Sequence, residues 1–155
     1  MKHTHRVMTV VLTAAVAAVL VSATLVPTST AAEEDSAAAH AAPADGVVTF
    51  YFHGNVRCAT CRKIEAYADE AIHTGYADAL ENGTLTWAVV NVDEAENKHF
   101  VEDFQLVTRS VVLAEFDDGN VVRWKNLDKV WQLVRDEDAF VAYIREETSA
   151  FLEES

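Results

Sequence analysis

The sequence predicts an α/β domain: a mixed four-stranded sheet with helices on both faces, in the order β-α-β-α-β-β-α. Three observations predict it. Two apolar runs, "VVTFYFH" at 47–53 and "TLTWAVVNVD" at 84–93, enclose a stretch whose apolar residues recur at helical spacing. Two further apolar runs flank "DDGN" at 117–120, a hairpin signal, because Asp-Gly suits the tight turns between antiparallel strands. The chain then closes on an amphipathic segment, "DEDAFVAYIREETSAFLEE".

Each element has its own reason. Residues 47–53 are β-branched and aromatic and stop at Gly54, which reads as a buried strand. From Cys58, "CATCRKIEAYADEAIHTGY" contains no proline and places Ile64, Ala68, Ala71 and Ile72 on one helical face. Gly75 interrupts or ends this helix, and "ENG" at 81–83 is a firmer stop. The run at 84–93 is apolar through its middle, as in a strand covered on both faces. "EAENKHFVEDFQL" follows as a second helix with Phe100, Val101 and Phe104 on one side, and Asp93 is the candidate cap. "SVVLAEF" and "VVRW" form the hairpin, and "NLDKVWQLV" is a short helix or turn. The last helix carries Phe140, Val141, Ile144 and Phe151, and Asp136, Glu137 and Asp138 suit its positive N-terminus. Trp87, Trp124 and Trp131 read as packing residues. The βαβ start calls for a right-handed crossover, and the hairpin adds an antiparallel strand.

The N-terminal part reads differently. Lys2 and Arg6 precede an uncharged run at 7–26 that is rich in Val, Ala and Leu, and "PTSTAA" follows. This is the pattern of an export signal, with cleavage expected after Ala31 or Ala32. The run is also about long enough to span a bilayer, so an uncleaved anchor is the alternative for 1–32. Either way, residues 33–155 are expected outside the cytoplasm, periplasmic or extracellular, with membrane contact only through 7–26 if the segment is retained. Residues 33–45, Ala-rich and acidic, read as a flexible linker, and 46–155 as the folded domain.

After Ala32 there are 25 acidic and 10 basic residues, a formal charge of −15. Nucleic acid is excluded as a partner, because phosphate binding needs clustered Lys and Arg. The two cysteines, Cys58 and Cys61, are too few for a disulfide scaffold.

Chemistry concentrates in "GNVRCATCRKIE" at 54–65. A Cys-x-x-Cys at a helix start puts both sulfurs on one turn. Free N–H groups and the helix dipole stabilise a thiolate on the first, and Arg57, Arg62 and Lys63 add positive charge. Cys58 is then the attacking thiolate and Cys61 the residue that closes the ring. His53 is the nearest histidine and a candidate, with Arg57 and Arg62, for tuning that thiolate. No cofactor beyond a Cys58–Cys61 disulfide is expected. The alternatives are an inert staple, disfavoured because so short a ring removes little entropy, and a metal site. Two thiolates can hold copper(I), zinc or a metalloid, with His53, His73 and His99 as further candidate ligands, although none has paired metal spacing.

With strand, CxxC and element order together, residues 47–152 resemble the thioredoxin-like fold. Within them, "YFHGNVRCATCRKIE" and "VVNVDEAENKHFVEDFQL" resemble the small exported proteins of the nitrophenyl compound nitroreductase subunit ArsF family. The resemblance implies a thiol-disulfide oxidoreductase, or a non-catalytic electron-relay subunit of a larger reductase. Its partner would be a dithiol or disulfide protein, with a membrane thiol-electron donor as one source of electrons. Three departures stand out. Arg57-Cys58-Ala59-Thr60-Cys61 replaces Trp-Cys-Gly-Pro-Cys, and no proline stands before the third strand. The substrate loop that a cis-proline would mark falls at Ser110 or Val111, where a trans peptide is expected. The strand before the CxxC also lacks the buried acid usual in thioredoxins, which leaves His53 as its stand-in.

Overall fold

The computed structural model describes residues 43–155; the expected signal or anchor at 1–32 and most of the linker lie outside the described residues. The elements are β1 (Gly46–His53), α1 (Ala59–Gly75), α2 (Ala77–Glu81), β2 (Leu85–Asn91), α3 (His99–Asp103), β3 (Ser110–Asp117), β4 (Asn120–Asn126), α4 (Val130–Leu133) and α5 (Glu137–Glu153), with a 3₁₀ turn at Ala95–Asn97. The sheet order is β2-β1-β3-β4. β1 runs parallel to β2 and antiparallel to β3, and β4 pairs antiparallel with β3. A central β1 that feeds a CxxC helix, a parallel β2 on one side and an antiparallel hairpin on the other make the thioredoxin-like α/β arrangement.

Alternation along β1 divides the core. Val47 and Tyr51 join α1 and α5 residues, among them Ile64, Ala68, Ile72, Phe140 and Ile144. Val48, Phe50 and Phe52 face the opposite way, into Phe100, Phe104 and Phe116. Because both faces of β1 are covered, all six residues from Val47 to Phe52 are buried. The hairpin turn is Asp118-Gly119, with φ of 48° and 76°. Positive φ at both positions is what a two-residue turn matched to strand twist demands, hence Asp-Gly.

Three sequence expectations need correction. The second helix is not one element: it breaks into the 3₁₀ turn and the five-residue α3. It ends in a Schellman motif, with Leu106 N–H on the Val101 carbonyl and Gln105 N–H on that of Glu102, and Gln105 at φ 51°. Phe100 and Phe104 are buried as expected, but Val101 is 37% exposed, because so short a helix points only one side inward. Asp93 caps no helix: Glu94 occupies that position, and the Asp93 carboxylate turns to the loop before Cys58. Trp131 is 36% exposed rather than packed, whereas Trp87 and Trp124 pack against the two cores.

Candidate functional site

The site is built where β1 leaves the sheet, between its two neighbours. From the β2 side, Asp93 accepts the Asn55 N–H at 2.7 Å, and the Asn91 amide donates to the Asn55 side-chain oxygen at 2.8 Å. From the β3 side, the Arg109 guanidinium donates to the Val56 carbonyl at 3.0 Å. Gly54 makes this approach possible. A Cβ there would lie 2.7 Å from the Asp93 carboxylate and 3.6 Å from the Arg109 guanidinium. The loop is thus held from both sides before it delivers Cys58.

Cys58 is the N-cap of α1, with extended backbone (φ −73°, ψ 165°), and its Sγ accepts the Cys61 N–H at 3.0 Å. The first turn of α1 holds no acidic residue. Once reduced, a Cys58 thiolate would keep this hydrogen bond and the positive helix end, both of which favour the charged form. Cys58 and Cys61 form a disulfide with Cα atoms 5.0 Å apart. Cys58 is exposed and Cys61 is buried. This asymmetry separates an accessible sulfur from a shielded one.

Beneath them lies Tyr51, fully buried, whose hydroxyl donates to the Cys61 carbonyl at 2.7 Å. Burial raises the pKa of this phenol above its ordinary 10.0, and the nearby Arg57 and Arg109 guanidinia oppose the rise. The first turn of α1 is therefore tied to the central strand by a neutral donor that keeps its proton.

The residues expected to tune the thiolate divide. Arg57 stands beside Cys58 but is paired with Glu65 in α1, so part of its charge is compensated. Arg62 is exposed and forms no ion pair among the described residues. His53 is half-buried, and its Nδ1 lies 3.0 Å from the Gly54 carbonyl in its own loop. Tyr51, not His53, is the titratable side chain that bonds to the cysteine turn. The side chains of Ser110 and Val111 are buried at the start of β3, so they offer no surface to a substrate. The accessible part of that loop lies just before them, at Val107 (94% exposed), Thr108 and the half-buried Arg109. With His53 and Asp93 these three border a groove of about 210 Å³. No peptide bond among the described residues is cis.

Two of the three histidines considered as metal ligands have carboxylate partners on the surface. His73 and His99 form surface i,i+4 pairs with Asp69 and Asp103. Among the described residues, the three-ligand cluster is Asp45, Asp117 and Asp118 at the hairpin turn, and it contains neither cysteine.

Tyr51 and Arg109 were missed at the level of sequence. The signal for Tyr51 was present: in a strand covered on both faces, residues 47, 49 and 51 share the side on which the following helix packs. Arg109 had no such signal, since its partner lies 53 residues away.

No family model matches the chain, and no curated protein matches it. Among solved structures, it is similar to the oxidised thioredoxin from Plasmodium falciparum, with 19% identity and a TM-score of 0.35 over 59% of this chain and 80% of that one. It is also similar to the thioredoxin of Fasciola hepatica, with 19% identity and a TM-score of 0.34 over 59% of this chain and 81% of that one. At such scores these overlaps carry no weight of their own; the fold assignment rests on the strand order and on the place of the cysteines within it.

Proposed function

We propose that this protein is a thiol-disulfide oxidoreductase that exchanges its Cys58–Cys61 disulfide with a partner protein. One observation carries the reading: an exposed N-cap cysteine is bridged to a buried one a single helical turn away. In the reducing direction, the Cys58 thiolate attacks one sulfur of the partner disulfide. A mixed disulfide forms, and the partner's second sulfur leaves as a thiolate that takes a proton from water. The Cys61 thiolate then attacks Cys58 Sγ, closes the Cys58–Cys61 bond and expels the partner's first sulfur. The partner disulfide gains two electrons and two protons, and this dithiol loses them. Run backwards, the same steps oxidise a partner dithiol.

Further parts of the proposal rest on sequence. Action outside the cytoplasm follows from the residues at 1–32. A membrane thiol-electron donor would return the dithiol, and a role as relay subunit of a nitroaromatic reductase would follow from the ArsF resemblance. Gly54, Asp93 and Arg109 act as positioning residues, holding the loop that presents Cys58.

The test is insulin disulfide reduction by the purified protein with dithiothreitol as electron source. The wild type should turn over, Cys58→Ser should fall to background, and Cys61→Ser should accumulate a mixed disulfide. A Cys58→Ser variant with the wild-type rate would overturn the reading. Stoichiometric copper(I), zinc or arsenite binding without any exchange would replace it with the metal alternative.

A further inference from the structure

A second groove lies directly against the ring formed by the two cysteines. Ala59 and Thr60, the dipeptide between them, line one side; Trp131, Val134 and Arg135 line the other, and Lys63 closes the end, around about 340 Å³. No carboxylate lines it. Trp131 is held by its Nε1–H, which donates to the Arg109 carbonyl at 2.9 Å, and it keeps 36% of its surface exposed. An indole fixed in place yet left open is a contact surface ready for a partner.

Charge says what kind of partner. The chain after Ala32 has 10 basic residues against 25 acidic ones, yet the charged side chains that line this groove are both basic, Lys63 and Arg135. Arg57 is occupied by Glu65, and Arg109 by the Val56 carbonyl. Lys63 and Arg135 are exposed and form no ion pair among the described residues. Asp136, next to Arg135 in the chain, caps α5 by accepting the Ala139 N–H at 3.1 Å. On a protein with so large an excess of acidic residues, a groove lined by two exposed cations and no carboxylate is a place where an acidic chain is attracted rather than repelled.

We infer that this groove docks an acidic, extended segment of the partner, the segment that carries the exchanging disulfide, with Lys63 and Arg135 pairing its carboxylates and Trp131 taking an apolar side chain. The inference rests on the exchange reading above and names the substrate class for it. It follows that the groove steers the partner's sulfur toward Cys58, and that the steering is lost when salt screens the charges.

The test uses two disulfide-cyclised peptides of equal length, one flanked by glutamates and one by lysines, reduced by the full-length protein. The readout is the ratio of the two rates, which cancels the overall activity of any variant. The wild type should favour the glutamate peptide by about tenfold at low salt, and the preference should collapse near about 0.5 M salt. Lys63→Glu with Arg135→Glu should invert the ratio after correction for the intrinsic reactivity of each peptide toward dithiothreitol. Equal wild-type rates for the two peptides, a salt-insensitive preference, or an unchanged ratio in the double variant would each overturn the docking inference alone. Failure to reduce either peptide, while dithiothreitol still opens Cys58–Cys61, would overturn the exchange reading and the docking inference with it.

Discussion

The two faces of β1 are covered by different means. On the cysteine-bearing face, two 17-residue helices, α1 and α5, pack over Val47 and Tyr51. On the other face, among the described residues, the helix that contributes is the five-residue α3, and aromatic rings fill the remaining space. Phe50 lies 5.1 Å from Phe52, 5.6 Å from Phe100 and 5.7 Å from Phe104, centroid to centroid, and Phe104 meets Trp124 edge-on at 5.7 Å. Five large side chains thus supply the cover that a long helix would otherwise give. The difference teaches a division of labour. The helical face positions chemistry, since α1 carries both sulfurs and Tyr51 holds its first turn. The aromatic face holds the sheet together without touching them.

The contrast is broken most sharply at Phe104, which is 1% exposed and meets four aromatic partners. Phe104→Ala should lower unfolding stability by about 3–5 kcal/mol in urea titrations. It should leave the Cys58–Cys61 redox potential unchanged. A shift in potential as large as that of a cysteine-face variant would show that the two faces do not act separately.

The next effect is on the other side. Tyr51→Phe removes the hydrogen bond that the Cys61 carbonyl accepts from outside its own helix, which should cost about 1 kcal/mol. Unlike Phe104→Ala, it should also shift the potential of the couple, measured by equilibration with dithiothreitol, because the first turn of α1 loses its tie. The same face carries a pH dependence. Tyr51 and Tyr143 both belong to it, and both have phenol pKa values above the ordinary 10.0. For Tyr143 burial is the main cause, helped by Glu147 and Asp128, and it pushes the pKa up to about 12. The folded state therefore holds these protons more tightly than the unfolded chain. Their contribution to stability is complete below pH 10 and declines as pH rises from there, through about 12 for Tyr143. Chemical denaturation across that range should show the decline, and Tyr143→Phe should reduce it.

The smallest effect sharpens the view of α3. Gln105 sits at φ 51°, a conformation that glycine adopts more readily. Gln105→Gly should raise stability by about 0.5–1 kcal/mol, seen as a higher midpoint in thermal melts, because it relieves the left-handed residue where α3 stops. A loss of stability would mean that the Gln105 side chain matters more than the backbone.

Much of this architecture was legible from local pattern. The run at 47–53 reads as a buried strand, Asp-Gly between two apolar runs as a hairpin, and Cys58 after that strand as the start of a helix. These features depend on residues within a few positions of one another, so a linear reading reaches them. The length of α3 was not legible. "EAENKHFVEDFQL" has helical spacing throughout, but the 3₁₀ turn and the Schellman stop were decided by how the chain returns from β2 to β3.

For the site, the sequence by itself determined the pair of sulfurs, their order on one helical turn, and the positive charge adjacent to them in the chain. Tertiary structure decided the rest. Cys61 is buried while Cys58 is exposed only because α1 lies against β1. Tyr51 reaches the Cys61 carbonyl across 10 residues, and Arg109 reaches the Val56 carbonyl across 53. Trp131 and Arg135 come beside Ala59 and Thr60 only when α4 is packed. The physical reason is the range of the interactions: spacing along the chain sets backbone geometry over a turn or two, whereas burial and long-range hydrogen bonds exist only once the sheet has brought distant segments together.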